Sequence, residues 1–152
     1  MDGNRSRELS VEHVFDAVQY RVYPDTPWVE VVDLMVRRRA RAIPVVGEQY
    51  EVLGIITTGD ALRRVLRDGP SDDTTGSEGG NGLTARDVMT RAVLCVSETQ
   101  PLLDAARIMM NRDVEQLPVV RDGELIGLIT RDAILRALHG SSDNTNEQEE
   151  DQ

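Results

Sequence analysis

Lysine is absent from this chain of 152 residues, and all seventeen basic side chains are arginine. That reads as a coding bias and carries no functional weight. Aromatic residues are nearly absent too, with one Trp, one Phe and three Tyr, so any core must be aliphatic. The single cysteine, Cys95, excludes an internal disulfide and a cysteine-built metal cluster. It reads instead as a small buried strand residue. No apolar run approaches the ~18 residues that a membrane span needs. The N-terminal "MDGNRSRELS" lacks the apolar stretch of a secretory signal, so a cytoplasmic location is expected.

Positive charge is scarce overall, with a net charge of −10, but the deficit is local. Residues 9–67 carry eight acids and eight arginines, and residues 83–139 carry eight acids and seven arginines. The excess acid sits in 68–82 and in 140–152, which net −4 and −5. The folded parts are therefore close to neutral, and a chain acidic overall gives no support for nucleic-acid binding. The segment "RDGPSDDTTGSEGGNG" holds no apolar residue and reads as a flexible linker over 68–82. The tail 140–152 and the first eight residues read as disordered, because nothing in the tail could offset the entropy of ordering.

What is there is written twice. A shift of 74 brings Leu9 onto Leu83, Val22 onto Val96, Pro27 onto Pro101 and Met35 onto Met109, and it lays "PVV" at 44–46 over "PVV" at 118–120. The shift falls to 73 at Gly54 and Gly127, because one hairpin is a residue shorter. Such self-similarity marks a repeat. Each copy opens with a short helix, capped by Ser10 or Thr84, followed by an extended stretch near 20–23 or 93–97. Pro27 or Pro101 then starts a helix with apolar residues at helical spacing: Val31, Val32, Met35 and Val36, or Ala105, Ala106, Met109 and Met110. Two strands joined by a polar turn end at Thr57 or Thr130, and a last helix closes the copy. One copy of about 57–59 residues is too small to be comfortable alone. Two can pack strand face to strand face over a shared aliphatic core.

The order β-α-β-β-α, with "IPVV" or "LPVV", a polar hairpin, and "GIITTGD" or "GLITRDA" opening the last helix, resembles the cystathionine β-synthase-type (CBS) domain. The tandem pair resembles a Bateman module and covers residues 9–67 and 83–139. The resemblance implies an α/β (α+β) fold of two repeats packed sheet to sheet in a pseudo-twofold pair. It implies a regulatory module that binds an adenosine-containing ligand (AMP, ADP, ATP or S-adenosylmethionine) in a cleft between repeats, with no obligatory cofactor. It implies a homodimer and an unidentified regulated protein. Carried onto this chain, Thr57 and Asp60 match the family's phosphate- and ribose-contacting pair. Thr130 matches the Thr of the second copy, but Ala133 stands where the second Asp belongs. A carboxylate can accept both hydroxyls of a ribose diol, and a helix N-terminus suits phosphate. Arg131 and Asp132 are the second copy's polar candidates. Ile43, Pro44, Leu117 and Pro118 are candidate apolar walls for a purine.

Alternatives stand beside these readings. Thr57-x-x-Asp60 is also a capping box, which explains both residues with no ligand. "RRRAR" at 37–41 ends a helix, where arginine is favoured by the dipole alone, or it forms a phosphate or partner surface. His13 and His139 have no acidic partner pattern. There is no nucleophile elbow, phosphate loop or metal-ligand cluster, so no enzyme is expected. A ligand-free dimerisation or scaffold protein of the same fold is the alternative function. The second copy also aligns in two registers. Matching the strands puts Asp60 opposite Ala133 and makes the sites unequal; matching the helices puts Asp60 opposite Asp132. The strand register is preferred because it fixes where the helix starts. The apolar stripe Ala61, Leu62, Val65, Leu66 and the Met-rich helices point to a homodimer.

Overall fold

The computed structural model describes residues 9–69, 82–91 and 93–150, and of 141–150 the backbone alone. The readings made for 1–8, for 70–81 and for the last two residues lie outside the described residues. In chain order the elements are a 3-10 turn (Val11–His13), β1 (Asp16–Ala17), α1 (Trp28–Arg38), β2 (Ala42–Val46), β3 (Val52–Thr57) and α2 (Thr58–Asp68). There follow α3 (Ala85–Val88), β4 (Val96–Ser97), α4 (Leu102–Arg112), β5 (Gln116–Arg121), β6 (Glu124–Thr130) and α5 (Arg131–Glu150). The class is mixed α and β, as expected.

The chain forms two compact units, and neither is a contiguous repeat. One holds residues up to Val18 with 94–122 and 126 onward; the other holds 19–93 with 123–125. The opening segment of each copy has joined the other copy's core. Val11, fully buried, packs in one cluster with Val96, Leu102, Met109 and Ile129. Ala85, equally buried, packs with Val22, Trp28, Ile43 and Ile56. Full burial of a side chain such as Val11 contributes roughly 1.5–3 kcal/mol, a large share of what so small a core can supply.

The backbone shows the same exchange in matched pairs. The first amide of α1, Trp28 N, donates to Leu83 O at 3.0 Å, and the first amide of α4, Leu102 N, donates to Leu9 O at 2.8 Å. Ala85 N donates to Thr26 O, and Val11 N to Gln100 O, both at 2.9 Å. Helix amides that lack intrahelical acceptors are thus satisfied by a segment from elsewhere in the sequence. Both α1 and α4 follow a proline and end on a left-handed residue, Arg39 (φ 53°) and Asp113 (φ 54°). In one unit the sheet order is β1-β6-β5-β4, with β4 parallel to β5. In the other, β2 pairs antiparallel with β3, and Val22 bridges to Val45 in parallel, as Val96 does to Val119.

Two expectations are corrected. The element after Ser10 is one 3-10 turn, and the Ser10 hydroxyl bonds His13 Nδ1 at 3.1 Å instead of capping a backbone amide. The tail, read as unstructured from 140, continues α5 as helical backbone to Glu150. Extending an existing helix needs no new nucleus, which composition alone does not reveal.

Gly54 and Gly127 occupy matching positions where the exchanged segment crosses. A Cβ on Gly54 would lie 2.6 Å from Met89 Sδ and 2.8 Å from the Thr90 carbonyl oxygen, and one on Gly127 would run into the Asp16 carbonyl and the Phe15 ring. Gly127→Ala is expected to destabilise the chain by about 1–3 kcal/mol through overpacking. Gly140→Ala, where a Cβ meets nothing within 4 Å, should be neutral or stabilising in its helix. Urea unfolding of the two variants checks this, and an unchanged midpoint for Gly127→Ala would contradict the crossing.

Candidate functional site

The duplicated passage forms the junction between the last strand and the last helix of each copy. Thr57 is extended (φ −103°, ψ 167°) and is the N-cap of α2. Its hydroxyl oxygen accepts the Asp60 amide at 3.2 Å, and the Asp60 carboxylate reaches back to accept the Thr57 amide at 2.9 Å and the Thr57 hydroxyl at 3.1 Å. Asp60 Oδ1 receives Arg63 Nη2 at 2.8 Å, and the Thr90 hydroxyl lies 3.3 Å from both oxygens. The capping box is therefore real, and the Asp60 side chain is only 10% exposed.

The second junction settles the register. Thr130 Oγ1 accepts the amide of Ala133, at 3.1 Å. The amide after each Thr is also matched: Thr58 N donates to Arg41 O and Arg131 N to Glu115 O, each at 3.0 Å. Thr57 thus corresponds to Thr130 and Asp60 to Ala133, so the second junction keeps the hydroxyl cap and lacks the carboxylate. Asp132 is exposed in the first turn of α5 and takes no part in the cap. Arg131 donates Nε to the Val114 carbonyl at 2.8 Å and Nη2 to Asp113 at 3.2 Å, which ties it to the loop before β5.

The expected apolar walls are core residues. Ile43 (0% exposed) and Leu117 (2%) belong to the two separate clusters, and Pro44 and Pro118 are buried within their strands. The sequence reading missed Arg63 and Thr90 as partners of Asp60. Arg63 follows at a helical i,i+3 spacing that could have been noticed, whereas Thr90 lies thirty residues away and has no local signal. Cys95 is partly buried, and burial pushes its thiol pKa up. Among the described residues no group of acidic, histidine and cysteine side chains could hold a metal ion, and no helix is long and apolar enough to cross a membrane.

Chemically, Asp60 has about as many hydrogen-bond donors as a carboxylate has acceptor sites. Two of them, Thr90 and the 73%-exposed Arg63, lie outside the cap. A diol could replace these two while the Thr57 bonds stay in place, and the positive end of the α2 dipole lies beside the same spot.

Residues 10–67 and 85–140 match the profile of the CBS domain. The CBS domain-containing protein CBSX1, chloroplastic, of Arabidopsis thaliana is 33% identical over 135 residues, covering 76% of this chain and 57% of that protein. An uncharacterized protein of Methanocaldococcus jannaschii, MJ1426, is 28% identical over 141 residues, covering 77% of this chain and 84% of its own. The chain spans little more than half the length of the first two curated relatives it matches. Among solved structures, CBSX2 in complex with AMP is similar at a TM-score of 0.69 and 27% identity, covering 84% of this chain and 94% of that one. The CBS domain pair of MJ0100, in complex with 5-methylthioadenosine and S-adenosyl-L-methionine, has a TM-score of 0.72 at 21% identity, over 87% of this chain and 97% of that one. That second likeness bears on the fold alone.

The unequal junctions have a stability consequence. Asp60→Ala removes the acceptor of the Thr57 amide and should cost about 1–2 kcal/mol. Asp132→Ala removes an exposed carboxylate outside the cap and should stay within about 0.5 kcal/mol of the parent. Chemical denaturation of both variants checks this, and equal losses would contradict the register.

Proposed function

The chain belongs to the CBS domain family, and from that premise we propose that it is a ligand-sensing regulatory module binding an adenosine nucleotide at the Thr57–Asp60 junction. The observation that carries this reading is the part-buried Asp60 carboxylate, which sits beside a helix N-terminus and is held in place by its own cap, with two exchangeable donors facing it. Support comes from the AMP complex of CBSX2, whose fold this chain shares at 27% identity. Asp60 accepts the ribose hydroxyls, and Thr57 lies beside the phosphate. Thr130 and Arg131 form a weaker counterpart, because Ala133 offers no acceptor for a diol and Arg131 is already engaged. The role is one of binding, and its output is a change in a partner protein.

One observation favours a ligand-free scaffold instead: the cap alone accounts for the side-chain hydrogen bonds of Thr57, and it uses the Asp60 carboxylate. Thermal denaturation with AMP, ADP, ATP and S-adenosylmethionine separates the two readings. A ligand that binds only the folded state raises the melting temperature in proportion to RT ln(1 + [L]/Kd). AMP is expected to raise it, and Asp60→Asn to remove most of that rise. No rise with any of the four would favour the scaffold.

We also infer that the working form is a homodimer. Large apolar side chains lie exposed at matching positions of both copies: Val36 (72%) and Met110 (66%), and Leu62 (63%) and Leu135 (68%), with Leu66 (84%) one turn beyond Leu62. Repeated exposure of this kind marks an association surface. Sedimentation at micromolar concentration should show a dimer, and Leu62→Arg with Leu66→Arg should shift it towards the monomer. A monomeric parent chain would overturn this inference.

A further inference from the structure

Apart from the Thr57–Asp60 junction, the unit built around Trp28 contains a cavity of about 370 Å3 between the segment 21–26 and the outer face of α1. Its polar lining is Arg21, Arg37, Arg38, Glu30, Asp33 and Thr26, and Val22 and Leu34 supply apolar surface. Asp33 is paired with Arg37 at 3.1 Å. Arg38 lies over the Tyr20 ring at 5.9 Å and makes no ion pair among the described residues. Three cations against two carboxylates leave the lining positive by one.

Arg21 is the unusual member. Its guanidinium stacks 4.5 Å from the centre of the Tyr50 ring and donates Nη2 to the Tyr50 hydroxyl. Tyr50 is itself fixed, with a left-handed backbone (φ 64°) and a carbonyl that accepts the Leu125 amide at 2.9 Å. Arg21 Nε, however, is buried with no acceptor among the described residues. A buried charged donor without an acceptor is costly, and such an exception calls for a cause. The repeat adds a second point. Under the same shift of 74, Cys95, Asn111 and Arg112 stand where Arg21, Arg37 and Arg38 do. Arg21 and Arg37 are therefore peculiar to the first copy, whereas Arg38 has an arginine counterpart in Arg112.

We propose that this cavity is a second binding site, for the oxyanion of a small molecule (a carboxylate or a phosphate group), held by Arg21 and Arg38. The guanidinium fork matches a planar or tetrahedral oxyanion with paired hydrogen bonds. The anion neutralises the excess positive charge of the lining, with Arg21 and Arg38 both on the cavity wall. The volume falls at the lower end of small-molecule sites, roughly 300–1,000 Å3. The inference does not depend on the adenosine reading, since none of these residues belongs to the Thr57–Asp60 junction.

The test is a titration of the full, 15N-labelled chain with sodium phosphate and, separately, with sodium succinate, at ionic strength held constant with sodium chloride. The signals to follow are the Arg21 Nε–H resonance and the Thr26 and Leu34 amides. A saturable shift of these signals by at least one anion is expected. Phosphate acting alone identifies a phosphoryl group as the ligand chemistry, succinate acting alone identifies a carboxylate, and a response to both identifies a general oxyanion site. The response should vanish in Arg21→Met and weaken at least about tenfold in Arg38→Gln. Arg38→Gln disturbs neither the Tyr50 contact nor the core, so it decides the matter if Arg21→Met fails to fold. Shifts no larger than those with chloride alone, or saturable shifts that survive in the variants, would overturn the proposal.

Discussion

Neither copy of the repeat can complete its own core, and the rest of the structure follows from that constraint. Val11 lies in the cluster of Val96, Leu102 and Ile129, and Ala85 in that of Val22, Trp28 and Ile56. The exchanged segments also satisfy the first amides of α1 and α4 and add bridges along Ile55 and Leu128. Apolar burial and backbone satisfaction thus act at the same places, which is why a repeat of under sixty residues can support a stable fold. Gly54 and Gly127 are small because a backbone crosses there, so the requirement for glycine is steric and does not arise from the strand conformation.

That scaffold delivers two nearly identical strand-to-helix junctions, and one substitution makes them different. Both begin with a threonine whose hydroxyl accepts the amide three residues on, and both anchor the next amide on the residue before the preceding strand. Only the first adds a carboxylate. The cap does not by itself exclude the proposed ligand role of Asp60. The cap fixes the carboxylate in one rotamer and leaves Arg63 and Thr90 as the exchangeable donors. Preorganisation of this kind reduces the ordering cost of binding.

Much of this was legible in the sequence. The apolar spacing in Val31–Val36 and Ala105–Met110, the prolines at 27 and 101, and the constant offset located the helices and strands, because burial periodicity and proline geometry are local. The strand register was legible for the same reason: equal spacing from Gly54 to Thr57 and from Gly127 to Thr130 fixes where each helix starts. The exchange was not legible, since an offset aligns two copies without saying which copy a segment pairs with. The helical extension past Gly140 was hidden by a polar composition. Arg21 carried no signal, because its character comes from Tyr50, twenty-nine residues on, and from a buried Nε that only three-dimensional packing creates. Ile43 and Leu117 were rightly placed on strands, but their side chains fill the cores.

The central claim is that the two junctions, alike in backbone, differ in chemistry because of a single carboxylate. Backbone amide shifts recorded during an AMP titration test it most directly. The account predicts saturable changes centred on Thr57 to Asp60 and on Thr90, with much smaller changes from Thr130 to Ala133 at the same AMP concentration. Changes of equal size and equal midpoint at both junctions, or changes confined to Thr130–Ala133, would contradict it.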